Sequence, residues 1–412
     1  MAVRIESVIA FFGCFPIYLA DYLANKGKSK KFSQILTTVY HNLAKYLSLC
    51  LLLITILVIP PFSDYTATLI KPENDRNSPF YALIVSNLIS NVSTYFIAGY
   101  ASNSNSILMK WTEIFQFLTQ SKVSSKIDNA PDTMQKLSSF AHQSALKCIY
   151  SIIVRALIII TILTLLYLYE GLTLSFTVYG NNQLIQLTLF TLLTIHLTIF
   201  ASLDHVNSHL FEILVQYFVL KFRVINDRIA VIVKKGKDGS NNQIKSLDEA
   251  ELKSILDEHD LLKVNLKLYD KYWSQINIVT LILKPLTCLY CVFQLTFIVQ
   301  STASIVFLWL HLIESVYLFT KMFLSGTKVS DEIDSVAANG LRLILFSYSI
   351  PVLQRLQLFN QHIMFTEMGF SCGGLFIFTL DSVHDAFIEL TQDFLLTLDF
   401  VITVRQAKSQ LN

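Results

Sequence analysis

Seven runs of apolar residues, each about as long as a bilayer is thick, divide this chain. They fall at roughly 44–62, 79–101, 147–169, 184–203, 275–299, 304–324 and 381–406. A helix needs about 20 predominantly apolar residues to cross the hydrocarbon core, so each run predicts a transmembrane helix. The last is the most polar of the seven. A shorter apolar stretch at 7–20 carries Pro16 and lacks a small-residue cleavage site, which predicts a retained amphipathic or re-entrant segment rather than a signal peptide.

The long polar interval 204–274 is itself helix-prone. "KKGKDGSNN" (234–242) reads as a flexible break. Ser246-Leu247-Asp248-Glu249 then has the form of a capping box. Apolar Ile255, Leu256, Leu262, Leu266 and Tyr269 follow at helical spacing and lead straight into the fifth span. The fourth and fifth spans are therefore expected to continue out of the membrane as long helices, forming a subunit-contact layer. With no internal repeat and no second soluble region, the expectation is one all-α, seven-helix membrane unit over residues 1–412.

Composition agrees. Hydrophobic residues make up 53% of the 412 and charged residues 15%, with a mean hydropathy of +0.51. A soluble domain carries about 25% charged residues. Net charge is +2, which gives no electrostatic footprint for a nucleic-acid partner. Six cysteines fall mostly in apolar or inward-facing stretches, so no disulfide framework is expected. The Cys288/Cys291 pair lacks the other two ligands of a zinc site.

Lys and Arg orient the chain. Leaving out the long 204–274 interval, the segments 1–43, 102–146 and 325–371 hold 5, 4 and 3 basic residues, against 3 in all segments on the other side. The positive-inside rule then puts the N-terminus in the cytoplasm and, with seven spans, the C-terminus outside. GxSxG, HExxH and GxGxxG are absent, so neither an enzyme nor a cofactor or metal site is expected.

Charges inside the spans cost about 2.5–3.5 kcal/mol each on insertion scales. Arg155 is placed to snorkel back to the cytoplasmic surface. Lys284 and Glu314 lie at similar mid-membrane depth and are expected to form a buried ion pair. In the final span, Asp385, Glu389, Gln392, Asp399, Thr403 and Gln406 recur at steps of four, three, seven, four and three, drawing one polar stripe on a helix about 39 Å long. Asp381, Asp385, Glu389 and Asp393 form an acidic row at its cytoplasmic end. A polar stripe facing lipid is costly, whereas one facing water is not. Copies of this helix gathered on a shared axis would give Gln392, Asp399, Thr403 and Gln406 a water-filled pore, with the acidic row as a cation-attracting mouth. Bonding to neighbouring helices of the same chain is the alternative.

The stretch "GFSCGGLFIFTLD" (369–381) resembles the Phe-Ser-Ala-Cys-Gly-Leu-Phe…Asp signature before the last helix of insect gustatory receptors. The closing motif of that family, Thr-Tyr, five apolar residues, then Gln-Phe, falls on Asp399-Phe400, "VITVR" and Gln406-Ala407. "FFGCFPIYLAD" (11–21) is similar to the family's Gly-x-Phe-Pro segment. Insect odorant receptors share the fold, and their ending can also be laid over Asp399 to Arg405.

The resemblance implies a ligand-gated, non-selective cation channel in the plasma membrane of sensory neuron dendrites. It implies four subunits, identical or paired with a related co-receptor, around a pore lined by the last helix, with Gln406 at the constriction. The partners implied are a small-molecule tastant or odorant, permeant cations and membrane lipid. The ligand pocket is expected in the external half, where Tyr81, Asn87, Tyr167, Gln186, His196, Trp309 and His311 are candidates. Two other readings are an odorant-type subunit that conducts only with a co-receptor, and a secondary transporter coupling through Lys284, Glu314 and Asp399.

Overall fold

The computed structural model describes residues 46, 49–50, 130–169, 191, 203–238, 245–297, 302–344, 346, 348–365 and 368–411. The spans expected at 79–101 and, but for Thr191 and Leu203, 184–203 lie outside them, as do most of 44–62 and the segment at 7–20. The described elements are α1 (Ala130–Tyr169), α2 (Leu203–Asp238), α3 (Lys245–Phe297), α4 (Thr302–Leu343), α5 (Ile350–Phe365), a short hairpin of β1 (Ser371–Cys372) and β2 (Phe376–Ile377), and α6 (Leu380–Leu411).

The side-chain pairs between helices fix their relative directions. His205 meets Glu314, Arg223 meets Glu332 and Asn226 meets Ser335, so positions on α2 and α4 advance together and the two helices run parallel. Between α2 and α3 the order reverses, because Arg228 pairs with Glu258 and Asp204 with Lys284. The same reversal relates α1 to α2, where Ser151 meets His205 and Ser144 meets His209. Successive helices α1, α2 and α3 thus alternate in direction.

At 53 residues α3 is about 80 Å long, far more than the ~30 Å of a hydrocarbon core. It passes through Pro285 without ending. α2 continues through the first five residues of the break expected at 234–242 and stops at Asp238, and α3 begins at Lys245. Glu249 has a role outside its own helix: its carboxylate accepts the Ser349 backbone N–H (2.7 Å) and hydroxyl (2.9 Å), the residue that opens α5.

Where α2, α3 and α4 continue together, the core is aromatic. Phe211, Phe218, Phe222, Tyr269, Trp273 and Phe323 are fully buried. Phe211 contacts the Trp273 and Phe370 rings at centroid distances of 5.1 and 5.0 Å. Burying side chains of this size contributes about 1.5–3 kcal/mol each, which makes this cluster the principal anchor of the fold.

Candidate functional site

Two constructions stand out, one joining the helical core to α6 and the other between α1, α2 and α4. The first is built from the stretch 369–381. Gly373 and Gly374 both have positive φ (61° and 73°), and the Leu375 N–H returns to the Cys372 carbonyl at 2.9 Å. A turn with two central residues at positive φ is readily made by Gly-Gly, and it pairs Ser371 with Ile377 and Cys372 with Phe376.

The hairpin is docked on α3 by three groups at helical spacing. Asp270 accepts the Ser371 N–H (2.6 Å) and hydroxyl (2.8 Å), Ser274 accepts the Gly373 N–H (2.9 Å), and Asn277 donates to the Ser371 carbonyl (2.9 Å). Burial pushes the Asp270 carboxyl above the usual carboxylate range, and the two Ser371 bonds pull it back part of the way. A Cβ on Gly373 would lie 2.4 Å from Ile278 Cδ1, so this close approach also needs glycine.

On its other side the hairpin is held by α4. Ser330 donates to the Phe378 carbonyl (2.8 Å), and Gly326 leaves room for the Phe378 ring, which a Cβ would meet at 2.2 Å. Phe370 and Phe378 are fully buried. Thr379 and Ser382 then cap α6 reciprocally: Ser382 N–H donates to Thr379 Oγ1 (3.1 Å) and Thr379 N–H to Ser382 Oγ (2.9 Å). The signature stretch is therefore a rigid joint between the long helices and the start of α6.

Beyond that joint α6 loses its cover. Asp381, Asp385 and Glu389 are exposed, and so is every described side chain from Thr391 to Gln406, including Gln392, Asp399, Thr403 and Gln406. The Thr403 hydroxyl donates to the Asp399 carbonyl of its own helix (2.9 Å), which leaves its oxygen as an acceptor. The side chain of Asp393 lies outside the described residues.

The second construction corrects the expected Lys284–Glu314 pair. Lys284 is bonded instead to Asp204 (2.5 Å). Glu314 Oε1 accepts from Arg155 and from His205 Nε2 (2.6 Å). Depth along the spans brought the right residues into one region but could not say which helices face each other. Arg155 is 9% exposed, so it is buried against Glu314 rather than snorkelling to a surface. Because Asp204 and His205 are consecutive on α2, the two ion pairs link α1, α2, α3 and α4. Asp204 and His205 sit one and two residues past the predicted end of the fourth span, the signal that periodicity alone did not turn into a site.

A cavity of ≈ 350 Å³ lies beside this network, lined from α1 by Val154, Ile158 and Ile159 and from α4 by Phe307, Leu310 and His311. Arg155, His205 and Glu314 form part of its wall. Of the candidate ligand residues, His311 is therefore in a cavity and buried, whereas Trp309 is 52% exposed and is not among the lining residues. Tyr167 lies on α1, with its side chain outside the described residues; Tyr81, Asn87, Gln186 and His196 lie outside them altogether.

No protein-family model matches the sequence, and no curated protein is similar to it. Solved structures are similar. The insect olfactory receptor OR5 from Machilis hrabei superposes with a TM-score of 0.67 at 13% identity, covering 96% of each chain. Its complex with eugenol superposes with a TM-score of 0.66 at 13% identity, covering 96% of this chain and 97% of that one.

Proposed function

From the premise that this chain has the fold of the insect seven-helix chemoreceptors, we propose that it is a subunit of a ligand-gated, non-selective cation channel. On this reading all of residues 1–412 form one seven-span unit, N-terminus in the cytoplasm and C-terminus outside, in the plasma membrane of a sensory cell. Four subunits surround a pore lined by Gln392, Asp399, Thr403 and Gln406 of α6. Asp381, Asp385, Glu389 and Asp393 form its cytoplasmic mouth.

The observation that carries this reading is the uncovered outer part of α6. Within one chain, polar Gln392, Asp399 and Thr403 and apolar Leu395, Leu396 and Ile402 are all exposed. By helical spacing Leu395 and Ile402 border the polar stripe and Leu396 interrupts it, so the exposed arc calls for water along its polar positions and for a packed neighbour, lipid or another subunit, along its apolar ones. A ring of α6 copies supplies both, and an acidic Asp399 favours cations. The ligand is a small organic molecule held in the cavity between α1 and α4, whose size is that of small-molecule sites. The docked hairpin is the joint through which the core moves α6.

The sequence resemblance favours a gustatory subunit, and a tastant is then the stimulus. The fold likeness to an olfactory receptor favours a second reading, an odorant-type subunit that conducts with a co-receptor. Whole-cell recording with G-protein signalling blocked tests both, using sugars, alkaloids and volatiles that include eugenol, which OR5 binds. A fast inward cation current from cells expressing this chain alone supports the self-sufficient channel. Current only with a co-receptor supports the heteromer, and slow ligand uptake without current points to a transporter.

A further inference from the structure

We propose that the cavity between α1 and α4 is also a lipid site. An anionic phospholipid of the cytoplasmic leaflet lays an acyl chain in it, and Lys147, Tyr150 and Tyr317 hold the phosphate and ester oxygens at its cytoplasmic end. This rests on the orientation and ligand pocket proposed above, and adds the resident molecule that a small organic ligand displaces.

The order of side chains along the two helices is the first observation. On α1, Tyr150, Val154 and Ile158 recur at four-residue steps and all line the cavity; Lys147, about one turn before Tyr150, begins the same face. On α4, Leu310, Ile313 and Tyr317 line the cavity on a face that continues to Lys321, one turn on. The helices run in opposite directions here, because Arg155 meets Glu314 while Ser144 and Lys321 both meet His209. That register sets Tyr150 level with Tyr317 and Lys147 level with Lys321. From the cytoplasmic end, both walls pass from ammonium to phenol to aliphatic side chain, the order of phosphate, ester and hydrocarbon in a leaflet. Lys147 to Ile158 spans about 16 Å, close to half of a ~30 Å hydrocarbon core.

The second observation is that the cavity is not closed off. Tyr150 is 71% exposed and Tyr317 51%, and Ile158 and Ile313 are exposed with them. In a membrane span, lining residues that are also exposed meet hydrocarbon, so a neighbouring chain enters without crossing a polar barrier.

The third is where the free donors lie. The deeper polar groups are engaged, since Arg155 and His205 both bond Glu314 Oε1. Lys321 is held by Glu212 at 3.0 Å and lies over the Tyr317 ring, 5.9 Å from its centroid. Among the described residues, neither tyrosine hydroxyl has a hydrogen-bond partner, and exposed Lys147 has no ion pair. Two O–H groups and one ammonium are therefore open at one end of the cavity. Phosphate and ester oxygens are acceptors, and the uncompensated charge is positive, which suits the anionic lipids of the cytoplasmic leaflet. Lys and Tyr are common at the ends of membrane helices. Here they stand at one end of a single apolar cavity.

The test uses the full-length protein in phosphatidylcholine nanodiscs carrying a trace of phosphatidylserine with a diazirine in one acyl chain. The matched probe is phosphatidylcholine with the same chain. After illumination, labelled residues are mapped by peptide mass spectrometry. Labelling is expected to concentrate on residues 154–159 and 307–313, with the serine lipid favoured about fivefold, the size of one lysine's attraction to an anionic headgroup. Lys147→Gln should bring that ratio to about one. The double variant Tyr150→Phe/Tyr317→Phe should lower labelling of the cavity by both lipids. Ile158→Trp, which fills the space, should abolish it there, with labelling of the other lipid-facing helices as the internal control for folding.

Labelling spread evenly over the lipid-facing helices, or equal for the two lipids in wild type, overturns the inference and leaves the cavity to the small ligand. A ratio unchanged in Lys147→Gln overturns the assigned headgroup contact. Eugenol, which OR5 binds, is then added as competitor. Loss of cavity labelling supports displacement. Selective labelling that neither eugenol nor any agonist found in the recordings reduces upholds the lipid site and overturns the placing of the ligand in this cavity.

Discussion

Asp270 on α3 holds Ser371 twice, through its backbone N–H at 2.6 Å and its hydroxyl at 2.8 Å, and so ties the residue that starts the hairpin to a helix about 80 Å long. Both bonds end on one carboxylate, so the strand can neither slide nor tilt without losing one of them. Asp270→Ala is expected to weaken the joint by roughly 1–3 kcal/mol, since the buried Ser371 N–H loses its acceptor. Ser371→Ala removes one bond and is expected to cost less. Comparing both single variants and the double by thermal unfolding, alongside ligand-evoked current, measures the coupling. If the two effects simply add, the bonds do not tie the hairpin down.

The two turn glycines differ in a way that substitution exposes. Both have positive φ, which costs an L-residue about 1–2 kcal/mol. Only Gly373 approaches α3, where a Cβ would lie 2.4 Å from Ile278; at Gly374 nothing lies within 4 Å. Gly373→Ala should lower the melting temperature clearly more than Gly374→Ala. Equal losses would mean that the backbone conformation alone, and not the docking, requires glycine.

Removing one member of the Arg155–His205–Glu314 network strands the others. Glu314→Leu leaves Arg155 buried without its carboxylate, and loss of one partner of a buried pair costs about 3–5 kcal/mol. Surface expression of Glu314→Leu should fall sharply, and the double variant Arg155→Met/Glu314→Leu should recover much of it. A double variant no better expressed than the single would argue that the network has some role besides charge compensation.

His259 supplies a pH dependence in the helical region outside the spans. Its ring is 1% exposed, set edge-on between Phe222 and Phe359, and neither ring nitrogen has a hydrogen bond within normal distance among the described residues, Asp260 Oδ1 lying 3.8 Å from Nδ1. Burial lowers its pKa from 6.5 to about 4, against a smaller opposing effect of Asp260. The unfolded chain therefore takes up the proton first. Stability is full above about pH 6.5 and falls as pH drops towards 4, by about 3 kcal/mol on this group's account. His259→Phe should raise the melting temperature at pH 5 more than at pH 7.5. A pH profile unaltered by the substitution would remove His259 as the cause.

Asp399 tests whether α6 faces water that ions cross, as proposed above. Asp399→Asn in a conducting receptor is expected to reduce the preference for cations, most visibly as a shift of reversal potential in dilution experiments. Unchanged permeation in a variant that still opens would place the pore elsewhere.

What the sequence determined by itself follows from periodicity and solvent. The length and apolarity of 147–169, 275–299, 304–324 and 381–406 are enough to require helices, and the Gly/Asn-rich break at 234–242 is enough to end one. The stripe on α6 was legible because four- and three-residue steps map onto one helix face wherever the helix is placed. Pairings were not legible, because they depend on which helix faces which. Lys284 and Glu314 share a depth, but Asp204 and Arg155, 80 and 159 positions away from them in sequence, reach them first. Glu249 was read as the end of a local capping box, and spacing gave no sign that it also holds Ser349, 100 positions on. Only the tertiary structure could make Gly373 and Gly374 a turn docked against Ile278, leave His311 Nε2 without a hydrogen-bond partner among the described residues, and strip α6 of cover. Local spacing fixes what a segment becomes; long-range packing fixes what its polar groups touch.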